Sequence, residues 1–155
     1  MTDGPAKLVL ERRIAAPVSL VFELLVDPDE LRQWLGPRGF IVTTFEADVR
    51  IGGAYRFRMR KLDGGDYGAD GEYREIVKDE RIVMSWRWNE APPGEPLDRS
   101  ETLITIVVRA DGEDTLLTLT HSQLPDQTSA DSHASGWTDA LEKLVTLVEN
   151  SKKGH

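Results

Sequence analysis

The chain has no cysteine. A disulfide framework, a thiol nucleophile and a thiolate metal site are therefore excluded. Long apolar runs are missing too, since no stretch of consecutive apolar side chains exceeds three residues. That excludes a transmembrane helix. Basic side chains are the minority, 19 against 27 acidic ones, giving a net charge of −8. Such a balance argues against non-specific binding to nucleic acid or to an anionic membrane. Neither a nucleophile elbow, a phosphate loop nor a dinucleotide glycine fingerprint occurs. Of the three histidines one is His155, and their spacing is not that of metal ligands, so neither a metal nor a cofactor is expected. The start, Met1-Thr2-Asp3-Gly4-Pro5, lacks the charge and apolar core of a signal peptide, and a cytoplasmic protein is the expectation. The 155 residues fit a single domain with its core from about residue 7 to residue 150, long enough to bury about 70% of the unfolded surface.

What is present is organised around one pattern near the C-terminus, from about Thr128 to Asn150. At 100° per residue, Trp137, Ala140, Leu141, Leu144, Val145, Leu147 and Val148 share an arc about 160° wide. Asp131, Ser135, Asp139, Glu142, Lys143, Thr146 and Glu149 fill the other side. An amphipathic helix this broad in its apolar stripe needs a sheet beneath it. Thr128 is the expected cap, with Asp131 three residues on. Gly136 inside the helix predicts a close backbone approach. His133, one turn before Trp137, falls in the apolar arc.

Ahead of this helix, Lys7 to Ile14 reads as a strand. Two helix starts follow, with Pro17 and Pro28 at first helical positions and Asp27 as a cap. Val18, Val21, Phe22 and Leu25 make the buried face of the first helix; Leu31, Trp34 and Leu35 make that of the second, which Gly36-Pro37 ends. From Phe40 the period becomes two. Strands are expected at 40–49, 55–60, 68–77, 81–88, 101–109 and 115–121, with Gly52-Gly53, Asp63 to Asp66, Lys78 to Glu80 and Asp111 to Glu113 as turns. Tyr55, Phe57 and Met59 alternate with Arg56, Arg58 and Arg60, the mark of a half-buried antiparallel strand. The arginines are expected to face solvent beside Glu72 or Arg74. Residues 89–98, rich in proline, form the longest irregular connection. The fold class is α+β: an antiparallel sheet of about seven strands, two short helices after the first strand, and a long C-terminal helix covering one face.

This order resembles the helix-grip, START-like superfamily (SRPBCC), and within it the domains similar to the C-terminal domain of the heat shock protein 90 ATPase activator. Ile14-Ala15-Ala16-Pro17 with Val21-Phe22 resembles that family's entry into its first helix. Asp27 to Leu31, then Trp34-Leu35-Gly36-Pro37 and Gly39-Phe40, resemble its Trp-Gly-Pro segment. Asp48 to Phe57 is similar to its strand, paired glycines and strand. Arg81-Ile82-Val83 with Ser85-Trp86-Arg87-Trp88, Thr118 to His121, and His133 with Gly136-Trp137 complete the likeness, which spans residues 8 to 148. It implies a curved sheet gripping the last helix, with a cavity between them. It also implies a superfamily that holds lipids, polyketides, hormones and aromatic substrates, and, through the activator, a chaperone as partner.

The residues themselves point to the same place. Tyr55, Phe57 and Met59 on one strand and Met84, Trp86 and Trp88 on another turn toward the expected inner face. Trp34, Trp137 and Leu141 come from helices, while His121 and His133 sit on the apolar sides of a strand and of the last helix. An apolar hollow with a few polar groups is the form of a small-molecule site. The same large side chains serve equally well as ordinary core, and both roles stay open at this stage. A small apolar or aromatic ligand is the first expectation. A chaperone-associated interaction module is the second, and a cyclase or hydrolase with His121 or His133 as acid or base the third. An exposed edge strand leaves monomer and homodimer open.

Overall fold

The computed structural model describes residues 6–95 and 97–153. Met1 to Pro5, Pro96 and His155, used above, lie outside the described residues. The order is β1 (Ala6–Ile14), α1 (Val18–Val26), α2 (Pro28–Trp34), β2 (Phe40–Ala47), β3 (Ala54–Lys61), β4 (Asp66–Val77), β5 (Arg81–Glu90), β6 (Thr102–Asp111), β7 (Asp114–Leu124) and α3 (Gln127–Lys153). Seven antiparallel strands form one sheet in the order β1-β7-β6-β5-β4-β3-β2. Strands β2 to β7 are a continuous meander, and β1 adds beside the last of them. The curved sheet and the long helix packed along it are the helix-grip arrangement.

Local chemistry sets the element ends. Asp27 caps α2 by accepting from the Asp29 N–H at 2.9 Å, with Pro28 at the first helical position. Pro17 falls one place earlier than expected: it is the extended N-cap of α1, and the helix begins at Val18. The cap of α3 also differs from expectation. Asp126, not Thr128, accepts from the Ser129 N–H at 2.8 Å. Pro125 immediately before it stops β7 from continuing, so the carboxylate rather than the threonine hydroxyl meets the free N–H groups.

The buried face of α3 is Ala130, Trp137, Ala140, Leu141, Leu144 and Val148. It lies along β1 and β7 with α2 at its side. Leu117, Leu119 and His121 of β7 are fully buried beneath it, as are Ile104 of β6 and Ile14 of β1. Gly136 does not bring two backbones together. A Cβ there would meet the Pro37 ring at 3.4 Å, an ordinary side-chain contact. Gly53 and Gly71 are tight positions instead, since a Cβ would come within 1.9 Å of the Asp48 carbonyl oxygen and 2.0 Å of the Ser85 one.

The alternation in β3 follows the pleat: Tyr55, Phe57 and Met59 are buried and the arginines exposed. Their partners are not Glu72 or Arg74. The register sets Arg56 beside Glu46, at 3.2 Å, while Arg58 reaches Glu90 at 2.8 Å and Arg60 reaches Asp66 at 2.8 Å. Arg74 pairs with Glu72 and Glu101. Exposed pairs of this kind contribute little stability.

Candidate functional site

Side chains of β5 and of the first half of α3 meet in one aromatic cluster. Strand β5 sends Trp86 and Trp88 to the inner face, and α3 sends down His133 and Trp137. Trp86 is the hub. Its ring centroid lies 5.2 Å from Phe57, 5.5 Å from Trp88 (at 90°), 5.7 Å from Trp137 and 6.0 Å from His121. Such tilted and edge-on contacts suit the ring quadrupoles.

The two histidines that sequence reasoning singled out do meet, with centroids 4.6 Å apart. Each is held by a tryptophan. The Trp137 indole N–H donates to His121 Nδ1 at 3.1 Å. The proton of His121 is therefore on Nε2, which donates to Thr102 Oγ1 at 2.7 Å, and Thr102 donates onward to the Trp86 carbonyl at 2.9 Å. His133 has the opposite tautomer. Its Nδ1 donates to the Ser129 carbonyl at 2.9 Å, and its Nε2 accepts from the Trp88 indole N–H at 3.1 Å.

Both imidazoles are neutral at physiological pH. Burial pushes His121 down to about 3, and the neighbouring His133 adds to that. Burial also lowers His133, and its hydrogen bond to Ser129 works against the shift. With one lone pair on each ring taken by an indole, neither nitrogen pair is free to remove a substrate proton or to bind a metal. Among the described residues no group of three or more His, Asp or Glu is placed to hold a metal ion.

Beside this cluster lies a cavity of about 550 Å³, open to solvent on one side. It is bounded by the first half of α3, the Gly36-Pro37 turn, strands β3 and β5, and the loop after Glu90. Phe57, Met59, Trp86, Trp88, His133 and Trp137 line it, as expected residues brought together in one place. The other five lie elsewhere. Trp34, Tyr55 and Met84 border a separate void of about 20 Å³ in the core. Trp34 is turned inward to donate from its indole N–H to the Leu24 carbonyl at 2.9 Å. Tyr55 is anchored by donating to the Ser85 carbonyl. Leu141 and His121 border neither space and are core, 1% and 0% exposed.

Leu141 misses the cavity because it lies on the opposite flank of the apolar stripe. The flank that does face it carries Ser129, Ser132, His133, Gly136 and Ala140, a ridge of mostly small side chains at helical spacing. Small groups there leave the hollow. Sequence reasoning also missed Phe40, Tyr67, Leu97 and the rim carboxylates Glu90, Glu95, Asp98 and Asp126. The length of the 89–98 connection was the available signal, because long loops often border sites. That loop is tied down by Tyr67, whose hydroxyl lies 2.8 and 2.9 Å from the two Glu95 carboxylate oxygens.

Comparison with known proteins places this architecture. The fold class is helix-grip, START-like. Residues 15–149 match the family "Activator of Hsp90 ATPase homolog 1-like protein", and the chain belongs to that family. A crystal structure of a protein from Chromobacterium violaceum is 30% identical, with a TM-score of 0.82, covering 92% of this chain and 96% of that one. An AHSA1 protein from Silicibacter pomeroyi is 26% identical with a TM-score of 0.83, covering 94% and 99%. An uncharacterised protein from Rhizobium leguminosarum is 26% identical with a TM-score of 0.80, covering 94% and 95%. No curated protein matches the chain. Among the described residues, no helix is long and apolar enough to cross a membrane.

Proposed function

We propose that this protein binds a small aromatic or apolar molecule in the cavity under the first half of α3. The observation that carries the proposal is the cavity itself: about 550 Å³ walled by Phe57, Met59, Trp86, Trp88 and Trp137. That volume lies within the range of small-molecule sites, and aromatic walls with a few polar groups are their usual lining. Three indoles at the wall also supply a direct readout. Intrinsic tryptophan fluorescence should change saturably with at least one member of a panel of polycyclic aromatics, flavonoids and lipids. Ser132→Trp, which places a large ring at the exposed rim, should abolish that change while the protein stays folded by circular dichroism. No saturable response across the panel would overturn the proposal.

Binding rather than catalysis is the role that suits the two histidines. A general base needs a lone pair facing substrate, and here both lone pairs accept from indoles. A chaperone partner is the second reading, and it rests on family membership alone. Retention of a chaperone on the immobilised protein at moderate salt is the experiment that would support it.

A further inference from the structure

We propose that the cavity is selective for charge, taking an aromatic body with an ammonium head in preference to one with a carboxylate or phosphate head. This rests on the binding role proposed above and adds the chemical class of the ligand. Among the described residues, four carboxylates line the cavity, Glu90, Glu95, Asp98 and Asp126, and no lysine or arginine does. Two of the four are already matched. Glu90 takes two hydrogen bonds from Arg58, at 2.8 and 2.9 Å. Asp126 caps α3 through the Ser129 N–H and so faces the positive end of the helix dipole.

Glu95 and Asp98 are different. Neutral hydroxyls hold them: Tyr67 at Glu95, and Ser100 at Asp98 through its hydroxyl and its N–H. Hydrogen bonds from neutral donors fix a carboxylate in place without cancelling its charge. Arg99, next to Asp98 in the chain, is exposed and lines no part of the cavity. Lys143 is turned away to the Leu35 carbonyl, at 3.3 Å.

Among the described residues, no cation in the wall attracts an anion. The start of α3 could have done so, but Asp126 occupies it with its carboxylate on Ser129 N and its carbonyl on Ala130 N. His133 in the wall is uncharged, with its nitrogens on the Trp88 indole and the Ser129 carbonyl, and His121 behind it is held by the Trp137 indole and the Thr102 hydroxyl. A carboxylate drawn into this space would be desolvated without a cation to pair with. An organic ammonium finds the indoles of Trp86, Trp88 and Trp137 in the wall and two carboxylates without a cationic partner at the mouth. That combination of aromatic faces and acidic rim is how quaternary and primary ammonium groups are recognised.

The test is a matched trio sharing one ring system: 1-naphthylmethylammonium, 1-naphthalenemethanol and 1-naphthoate, titrated into the full chain by calorimetry at low and moderate salt. The expected order is ammonium, alcohol, carboxylate, with the ammonium at least ten-fold tighter than the carboxylate and the gap narrowing as salt rises. Glu95→Gln combined with Asp98→Asn should reduce the ammonium-to-carboxylate ratio at least five-fold. Glu113→Gln, at the β6–β7 turn and outside the cavity, should leave that ratio unchanged. Carboxylate binding as tight as ammonium binding, or a ratio unmoved by the double variant, overturns the charge selectivity. In both those cases binding of the alcohol leaves the broader binding role standing. Failure of all three compounds to bind overturns the selectivity and the binding role together.

Discussion

The two halves of α3 face the same sheet and enclose different things. In the second half, Leu141, Leu144 and Val148 are each at most 1% exposed and fill the space down to β1 and β7. In the first half, Ser129, Ser132, Gly136 and Ala140 border a hollow of about 550 Å³. Both halves carry the amphipathic period. What differs is side-chain volume on one flank, small where the helix roofs the cavity and large where it seals the core. Close packing elsewhere makes the contrast meaningful, because a protein interior ordinarily leaves few voids larger than a water molecule.

The largest effect should come from opening a second hollow where the helix is sealed. Leu144→Ala removes a fully buried side chain, and urea denaturation should show a loss of about 3 kcal/mol, within the range for leucine truncation in cores. A loss under about 1 kcal/mol would mean the second half is as loosely filled as the first. Acid should act on the boundary between the halves, where His121 and Trp137 meet. The unfolded His121 titrates near its ordinary value while the folded one stays neutral down to about 3. Its contribution is therefore complete above about pH 6.5 and is lost as pH falls below that, by about 1.4 kcal/mol per pH unit. His133, shifted in the same direction, adds to the loss. Denaturation midpoints between pH 7 and pH 4.5 measure this, and His121→Gln should flatten the curve. The smallest effect is a gain. Gly136→Ala places a methyl at ordinary contact distance from Pro37 and should raise stability by up to about 1 kcal/mol from helix propensity, while narrowing the hollow beside it.

How much of this was legible from the chain differs between the same two halves. The sealed half announces itself, since Leu141, Leu144 and Val148 at helical spacing can only mean a buried face. The alternation from Tyr55 to Arg60 likewise fixes the inner and outer faces of β3. The hollow half is legible only in part. Large residues are what patterns report, and a cavity is made by the small ones; Ser129, Ser132 and Ala140 carry no signal of their own. Trp34, Tyr55 and Met84 were expected at the cavity because they are large and inward-facing, and inward turned out to include a second destination in the core. The indole–imidazole pairs join residues 16 and 45 apart, and Thr102 completes one of them from a third strand. Such partners depend on strand register, which a single sequence leaves open. The α3 cap was misplaced by two residues because Asp126 and Thr128 are both good capping types, and the proline before Asp126 decided between them.

The most direct test of the cavity is the set of four tryptophan indole N–H resonances in a ¹H–¹⁵N correlation spectrum during titration with 1-naphthalenemethanol. The signals of Trp86, Trp88 and Trp137 should move together and saturate, while Trp34, bonded to Leu24 in the core, should not move. A shift confined to Trp34, or no saturable shift at Trp86, Trp88 and Trp137, would contradict a ligand site beneath the first half of α3.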